Sequence, residues 1–342
     1  MKRLVYSIFI VLFALNLLAG AASFKMVEKW TPKGEIFGMA APRLIDKDGL
    51  LIGGFYKTGS LVISRTEVVQ FAPYGQGPGD LMGFRGISDF NGDIAVLDDM
   101  NIHRIKTFAK KDGKYIQKEI IWLQRNSDFL VTQALLFCDN KWFVAGEHHL
   151  AYKEKNIPYA LIRVYDRNGK FVKYLVEGVT NLEIQSFLFD YFIFNDSNRV
   201  YFMVENKLQV KVIAIRKLVV EKSVDLETPA FYQKMPAGFY AHEKRPGRYY
   251  HNIENWKTNY CRITKACVDG RYLAVQVRTC KKELQRFALL FYNKETFKLE
   301  HTFFSNDYFL DARNGRYYFY ENGDPGLDEG ADNVVIKIYK WE

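Results

Sequence analysis

One local pattern recurs six times along the 342 residues and constrains the fold more than any other feature of the chain. A β-rich run, a polar turn carrying Asp, Asn or Gly, and a second β-rich run read LIDKDGLLIGG at 44–54, ISDFNGDIAVL at 87–97 and LFCDNKWFVAG at 136–146. The pattern returns as FIFNDSNRVYFMV at 192–204, KACVDGRYLAVQV at 265–277 and FLDARNGRYYFYE at 309–321. Turns of this kind need positive φ or side chains that bond their own backbone, which selects Gly, Asn and Asp. Helical periodicity is nearly absent, so the chain reads as all-β. Its 48% hydrophobic and 25% charged residues exclude a disordered or collagen-like polymer.

A second pattern follows the first in several copies. Phe108–Tyr115 and Tyr165–Phe171 each enclose a tight Asp-containing turn, and Tyr292–Phe297 is a looser version. Each marks a turn between a third and a fourth strand. Four antiparallel strands per repeat, in six repeats, predict a six-bladed β-propeller. About 320 residues over six copies gives roughly 53 per blade, above the ~40–45 of compact blades, so insertions are expected. The last repeat has strands near 308–312, 315–320 and 333–340 and lacks a fourth. The segment Ser23–Trp30 alternates well enough to supply it, so an N-terminal strand is expected to close the ring and remove its open edge.

The second repeat resembles a known family. Gly75-Gln-Gly-Pro-Gly-Asp80, the strand ending at Asp98-Asp99, then Asn101-Ile-His-Arg104-Ile, an aromatic at Phe108 and the Asp112-Gly113 turn look like an NHL repeat. The match covers about 40 residues, and the other five repeats lack the Asp…Asn-x-Arg signature. The whole is similar to the six-bladed, TolB-like propellers of exported bacterial proteins. In that family the Asp and Arg tie neighbouring strands, so the resemblance gives Asp98 (or Asp99) and Arg104 a structural role, as a charge-assisted hydrogen bond within the blade.

The N-terminus speaks to compartment. Lys2-Arg3, an apolar run from Leu4 and the small residues Ala19 to Ser23 form the pattern of a secretory signal peptide over 1–22. The alternative is a retained anchor, since the run is close to a spanning length; Tyr6, Ser7 and Asn16 weaken it. After cleavage, residues 23–342 are expected to form one exported propeller domain with an insertion at about 225–259, monomeric and without a membrane span. The destination is periplasm, cell surface or medium. The formal charge of +9 drops to +7 without Lys2 and Arg3, is spread along the chain and forms no nucleic-acid module. Cys261, Cys267 and Cys280 flank one hairpin, and Cys138 stands apart. A Cys261–Cys280 disulfide is one reading and four buried thiols the other.

Strand order sorts the connections by face. First-to-second and third-to-fourth turns are short, whereas the long segments 71–86, 121–132, 146–158, 177–189, 225–259 and 321–333 all fall at the opposite end. Rigid scaffolds carry binding residues on such loops. The 225–259 insertion holds Arg245, Arg248, Tyr249, Tyr250, His251 and Trp256, flat apolar surfaces beside cations that suit a polar or acidic ligand. Packing of the same aromatics onto the rim explains them as well. His148-His149 lies on another loop of that face without a third ligand at metal spacing, and Arg85 falls near the expected channel mouth. The acidic loop 322–332 admits calcium but lacks EF-hand spacing, so no cofactor is predicted.

No HExxH, GxSxG, phosphate-binding loop or Rossmann glycine run is present. The sequence therefore reads first as a binding module for a protein, peptide or glycan partner. Its alternative is a metal-dependent propeller hydrolase, lactonase or lyase with its site at the channel mouth.

Overall fold

The computed structural model describes residues 23–34, 40–44, 49–53, 60–98, 103–124, 131–147, 160–177, 190–236, 258–281, 283–323 and 334–342. Every named element among them is a strand. β1 (Phe24–Trp30) comes first. Blade I is β2 (Ala40–Leu44), β3 (Gly49–Gly53), β4 (Ser60–Ser64) and β5 (Val68–Ala72). Blade II is β6 (Phe84–Phe90), β7 (Asp93–Asp98), β8 (Arg104–Lys111) and β9 (Lys114–Trp122). Blade III is β10 (Val131–Cys138), β11 (Lys141–Glu147), β12 (Ala160–Asp166) and β13 (Phe171–Glu177). Blade IV is β14 (Tyr191–Asn195), β15 (Arg199–Val204), β16 (Gln209–Ala214) and β17 (Val219–Asp225). Blade V is β18 (Arg262–Asp269), β19 (Tyr272–Arg278), β20 (Phe287–Asn293) and β21 (Leu299–Ser305). Blade VI takes β22 (Tyr308–Arg313), β23 (Arg316–Tyr320) and β24 (Ile336–Trp341) from the C-terminus and β1 from the N-terminus, in the order β22-β23-β24-β1.

All six sheets are antiparallel and four-stranded, and the six repeats of the sequence are their first two strands. The turns obey the chemistry of the sequence. Asn91-Gly92, Asp112-Gly113, Asp139-Asn140 and Asn314-Gly315 each place two successive residues at positive φ, the backbone of a type I′ hairpin. Asp166 and Asp196 act differently: each accepts 2.9 Å bonds through Oδ1 from two N–H groups of its own turn.

Strand alternation explains why the sheets form a ring. In β7, Ile94 and Val96 point toward blade I, where Val62 and Phe71 meet them, and Ala95 and Leu97 point toward blade III, against Leu135 and Trp142. In β20, Leu290 and Tyr292 face blade IV while Leu289 and Phe291 face blade VI. The core is therefore six apolar clusters, one between each pair of neighbouring sheets. The sixth joins Ile63 of blade I to Tyr318 and Ile336 of blade VI. The first strands touch in sequence around the centre, with β22 returning to β2. Gly86 in β6 permits the closest of these approaches, because a Cβ there would lie 2.6 Å from the Leu135 nitrogen.

Closure depends on β1. It pairs with β24 from Phe24↔Trp341 to Trp30↔Ile336, with a bulge between Met26 and Glu28. The Ser23 and Glu342 backbones exchange bonds of 3.2 and 3.0 Å, and Lys25 pairs with the Glu342 carboxylate at 2.8 Å. Phe24 stacks on Tyr339 at 5.3 Å and meets Phe291 and Tyr317 edge-on at 5.2 Å. The ends of the chain thus share one sheet.

This topology puts the strand-1-to-2 and strand-3-to-4 turns at one end of the ring. The strands joined by the long connections 73–83, 123–130, 148–159, 178–190, 226–261 and 321–335 end and begin at the other.

Candidate functional site

At the long-connection end, buried carboxylates close the second strands of blades II and IV, and another precedes the first strand of blade VI; each meets a loop of that end. In blade II the glycine-rich loop 75–83 turns on Asp80, whose Oδ2 accepts the Gly77 N–H at 2.9 Å. The Gly79 N–H donates to Gln117 Oε1 of β9 at 3.0 Å. Asp98, wholly buried at the end of β7, accepts the Met82 and Gly83 N–H groups through Oδ1 at 2.8 and 2.9 Å. Arg104 of β8 approaches Asp98 Oδ2 through Nε at 2.8 Å and through its terminal nitrogen at 2.6 Å. Lys106 lies 3.6 Å from the same oxygen and donates to the Asp80 carbonyl. Burial pulls the Lys106 ammonium below its usual value, against the opposing pull of Asp98. These charges are spent on holding the loop, since a buried ion needs a partner on every side.

Blade IV repeats the device with a different cation. Glu205, directly after β15, accepts the Asp190 N–H at 2.9 Å through one oxygen and Arg262 at 2.7 Å through the other. Arg262 opens blade V, so this carboxylate joins two blades; the Ile263 N–H also donates to the Glu205 carbonyl at 2.8 Å. Burial pushes the Glu205 carboxyl up to about 7, the nearby Asp190 adds to the rise, and Arg262 offsets part of it. In blade VI, Asp307 accepts Lys337 of β24 at 2.9 Å and the Asn322 N–H at 3.1 Å.

The root of the large insertion sits between blades IV and V. Cys261 donates its N–H to the Gln233 carbonyl at 2.9 Å, and the Gln233 N–H points at Cys261 Sγ at 3.3 Å. Cys280, just beyond β19, has its Sγ 3.6 Å from Cys261 Sγ and 3.5 Å from Gln233 Oε1. All four cysteines are reduced thiols in this structure. Tyr232 is buried beside the pair. Burial raises its phenol pKa, and Cys261, Cys280 and Glu205 push it in the same direction.

Of the residues singled out by sequence, Asp98 and Arg104 meet in blade II, and Cys261 and Cys280 meet at the insertion root. Arg85 lies in β6, but its side chain is outside the described residues. His148, His149, Arg245, Arg248, Tyr249, Tyr250, His251 and Trp256 lie wholly outside them, as do most of the 322–332 loop and the 1–22 leader. Sequence reasoning missed Glu205, Asp307 and Gln233. For Glu205 a signal existed: Asp98, Glu147, Glu205 and Glu321 all stand at or directly after the end of a second strand. Among the described residues, no three His, Cys, Asp or Glu side chains group as a metal site. No helix among them is long and apolar enough to cross a membrane.

Solved structures with little sequence in common have similar folds. A candidate exported protein of Bacteroides fragilis gives a TM-score of 0.61 at 14% identity, over 94% of this chain and 95% of that one. A member of the DUF4221 family from Bacteroides vulgatus gives 0.59 at 12% identity, over 94% and 98%. A gluconolactonase of Xanthomonas campestris gives 0.50 at 9% identity, over 95% and 98%. At such identities the likeness establishes the β-propeller fold alone. No family model matches the chain, and no curated protein matches it in sequence.

Proposed function

We propose that this chain is an exported, monomeric propeller of the NHL-repeat and TolB-like type that acts as a binding module. Its partner, an acidic peptide or glycan, binds on the long-connection face. The observation that carries the reading is the segregation of every long connection to one end of a rigid ring. Asp98, Glu205 and Asp307, the buried carboxylates at that end, already hold a cation and backbone N–H groups, which favours binding over metal chemistry there. Arg245, Arg248, Tyr249, Tyr250, His251 and Trp256 supply the recognition, together with His148, His149 and Arg85. Export rests on the 1–22 leader, and the fold likeness to a candidate exported protein agrees with it.

The second reading, a metal-dependent lactonase, draws on the fold likeness to a gluconolactonase. Elemental analysis of the purified exported chain, a calcium and zinc thermal-shift series and a lactone panel separate the two. The binding reading expects no turnover and retention on acidic peptide or glycan arrays. Arg245→Ala with Arg248→Ala should abolish that retention at an unchanged melting temperature. A stoichiometric metal accompanied by lactone hydrolysis overturns it.

A further inference from the structure

We propose that Cys261 and Cys280 form a disulfide that staples the root of the insertion to the outlet of β19, formed by thiol–disulfide exchange with an oxidised dithiol protein. The argument starts with register. Arg262 pairs with Arg278 across β18 and β19, so Cys261 precedes the first paired position and Cys280 follows the last by one extra residue. Two such positions on adjacent antiparallel strands lie within the span a disulfide covers. Their sulfurs are already in contact at 3.6 Å. Both belong to chain entering or leaving the long-connection face, where nothing in the sheet ladder ties them.

The surroundings single out this pair from the other thiols. Gln233 reaches both sulfurs, through its N–H to Cys261 and its side-chain oxygen to Cys280. The Phe231 carbonyl lies 4.0 Å from Cys261 Sγ. A bond between the sulfurs therefore fixes residues 231–233, Cys261 and Cys280 as one unit. Cys267 is buried within β18, its thiol held well above the usual range by burial.

Exposure gives the order of events. Cys280 is half-buried and Cys261 is buried, so Cys280 meets the oxidant first. The Cys280 thiolate attacks one sulfur of the oxidant's disulfide, forming a mixed disulfide and releasing one oxidant thiolate. The Cys261 thiolate then attacks Cys280 Sγ, the mixed bond breaks, and the second oxidant thiolate leaves. Two thiols lose two electrons and two protons, and one oxidant disulfide becomes two thiols. Burial and the adjacent Cys261 push the Cys280 thiol up to about 11. Its thiolate is scarce at neutral pH, so an efficient dithiol oxidant is needed, and the bond once formed resists reduction.

The proposal is independent of the binding reading, and either can fail alone. The test exposes the purified full chain to an oxidised thioredoxin-fold oxidase, alkylates remaining thiols, and maps peptides by mass. The expected product carries a linked Cys261–Cys280 peptide, two hydrogens lighter than its reduced form, with Cys138 and Cys267 alkylated. Hydrogen exchange at the Gln233 and Cys261 amides should slow severalfold in the oxidised chain. Alkylation of all four cysteines, a different linkage, or a mixed disulfide retained on Cys280 overturns the staple. So does exchange at those two amides that is unchanged by oxidation. Cys280→Ser, a surface-side change, serves as the control that keeps the reduced rate under oxidant.

Discussion

Glu205 is a carboxyl whose environment opposes its charge, and that sets a pH dependence of definite sign. Its folded value is raised from 4.5 to about 7, so the folded chain holds the proton more tightly than the unfolded one. The associated stability is fully present below about pH 4.5 and is lost as pH rises through about 7, on the order of 3 kcal/mol in all. Melting temperature should therefore fall between about pH 4.5 and about pH 7 and level off above it. Glu205→Gln, which stays neutral, should flatten that fall; parallel curves for the two proteins would show that burial is not the cause. Asp98 is the contrasting residue, because Arg104 and two N–H groups match its charge. Arg104→Ala leaves it buried with its main partner gone and should cost about 3–5 kcal/mol in urea unfolding. Asp98 and Arg104 were legible because their family resemblance spans one contiguous repeat. Glu205 had only a positional signal, at the end of a second strand; its charge state was not legible, since burial and then Asp190 before β14 and Arg262 of the next blade set it, from far away in sequence.

Elements were easier to read than sites because hairpins are local. Asn-Gly and Asp-Gly between β-rich runs declare a type I′ turn wherever they stand, and Asn91-Gly92 and Asn314-Gly315 take that backbone. Contacts between elements carry no such signature. Nothing around Gly86 announces that β6 and β10 approach there, yet a Cβ would meet the Leu135 nitrogen at 2.6 Å and its Cβ at 2.9 Å. Backbone on both sides leaves no flexible end to yield, so Gly86→Ala must push blades II and III apart. A loss of about 1–3 kcal/mol is expected, read as a lower denaturation midpoint. A midpoint equal to wild type would mean that the blades slide freely against one another. Gln233 was illegible for a related reason: it gains meaning only when the insertion root returns to Cys261 and Cys280.

The molecule as a whole depends on a single noncovalent closure. Six apolar clusters join neighbouring sheets, so every blade is held on two sides, and blade VI alone is assembled from both ends of the chain. Phe24 is the principal anchor of that assembly, touching rings from Phe291, Phe303, Tyr317, Tyr339 and Trp341. Trp30, at the other end of β1, packs on Tyr318 at 5.6 Å. Phe24→Ala should cost about 2–4 kcal/mol, less than the largest core truncations because the ring is only partly buried. Removal of residues 23–30 is harsher, since it bares the β24 edge and its row of N–H and C=O groups for pairing with another chain. The truncated chain should associate more strongly than the intact one at equal concentration in sedimentation. A peptide of residues 23–30 supplied in trans should reverse that added association by filling the vacant strand position. A truncated chain that melts like the intact one and associates no more than it would mean that blades I to V hold the ring shut by themselves, with β1 contributing nothing to closure.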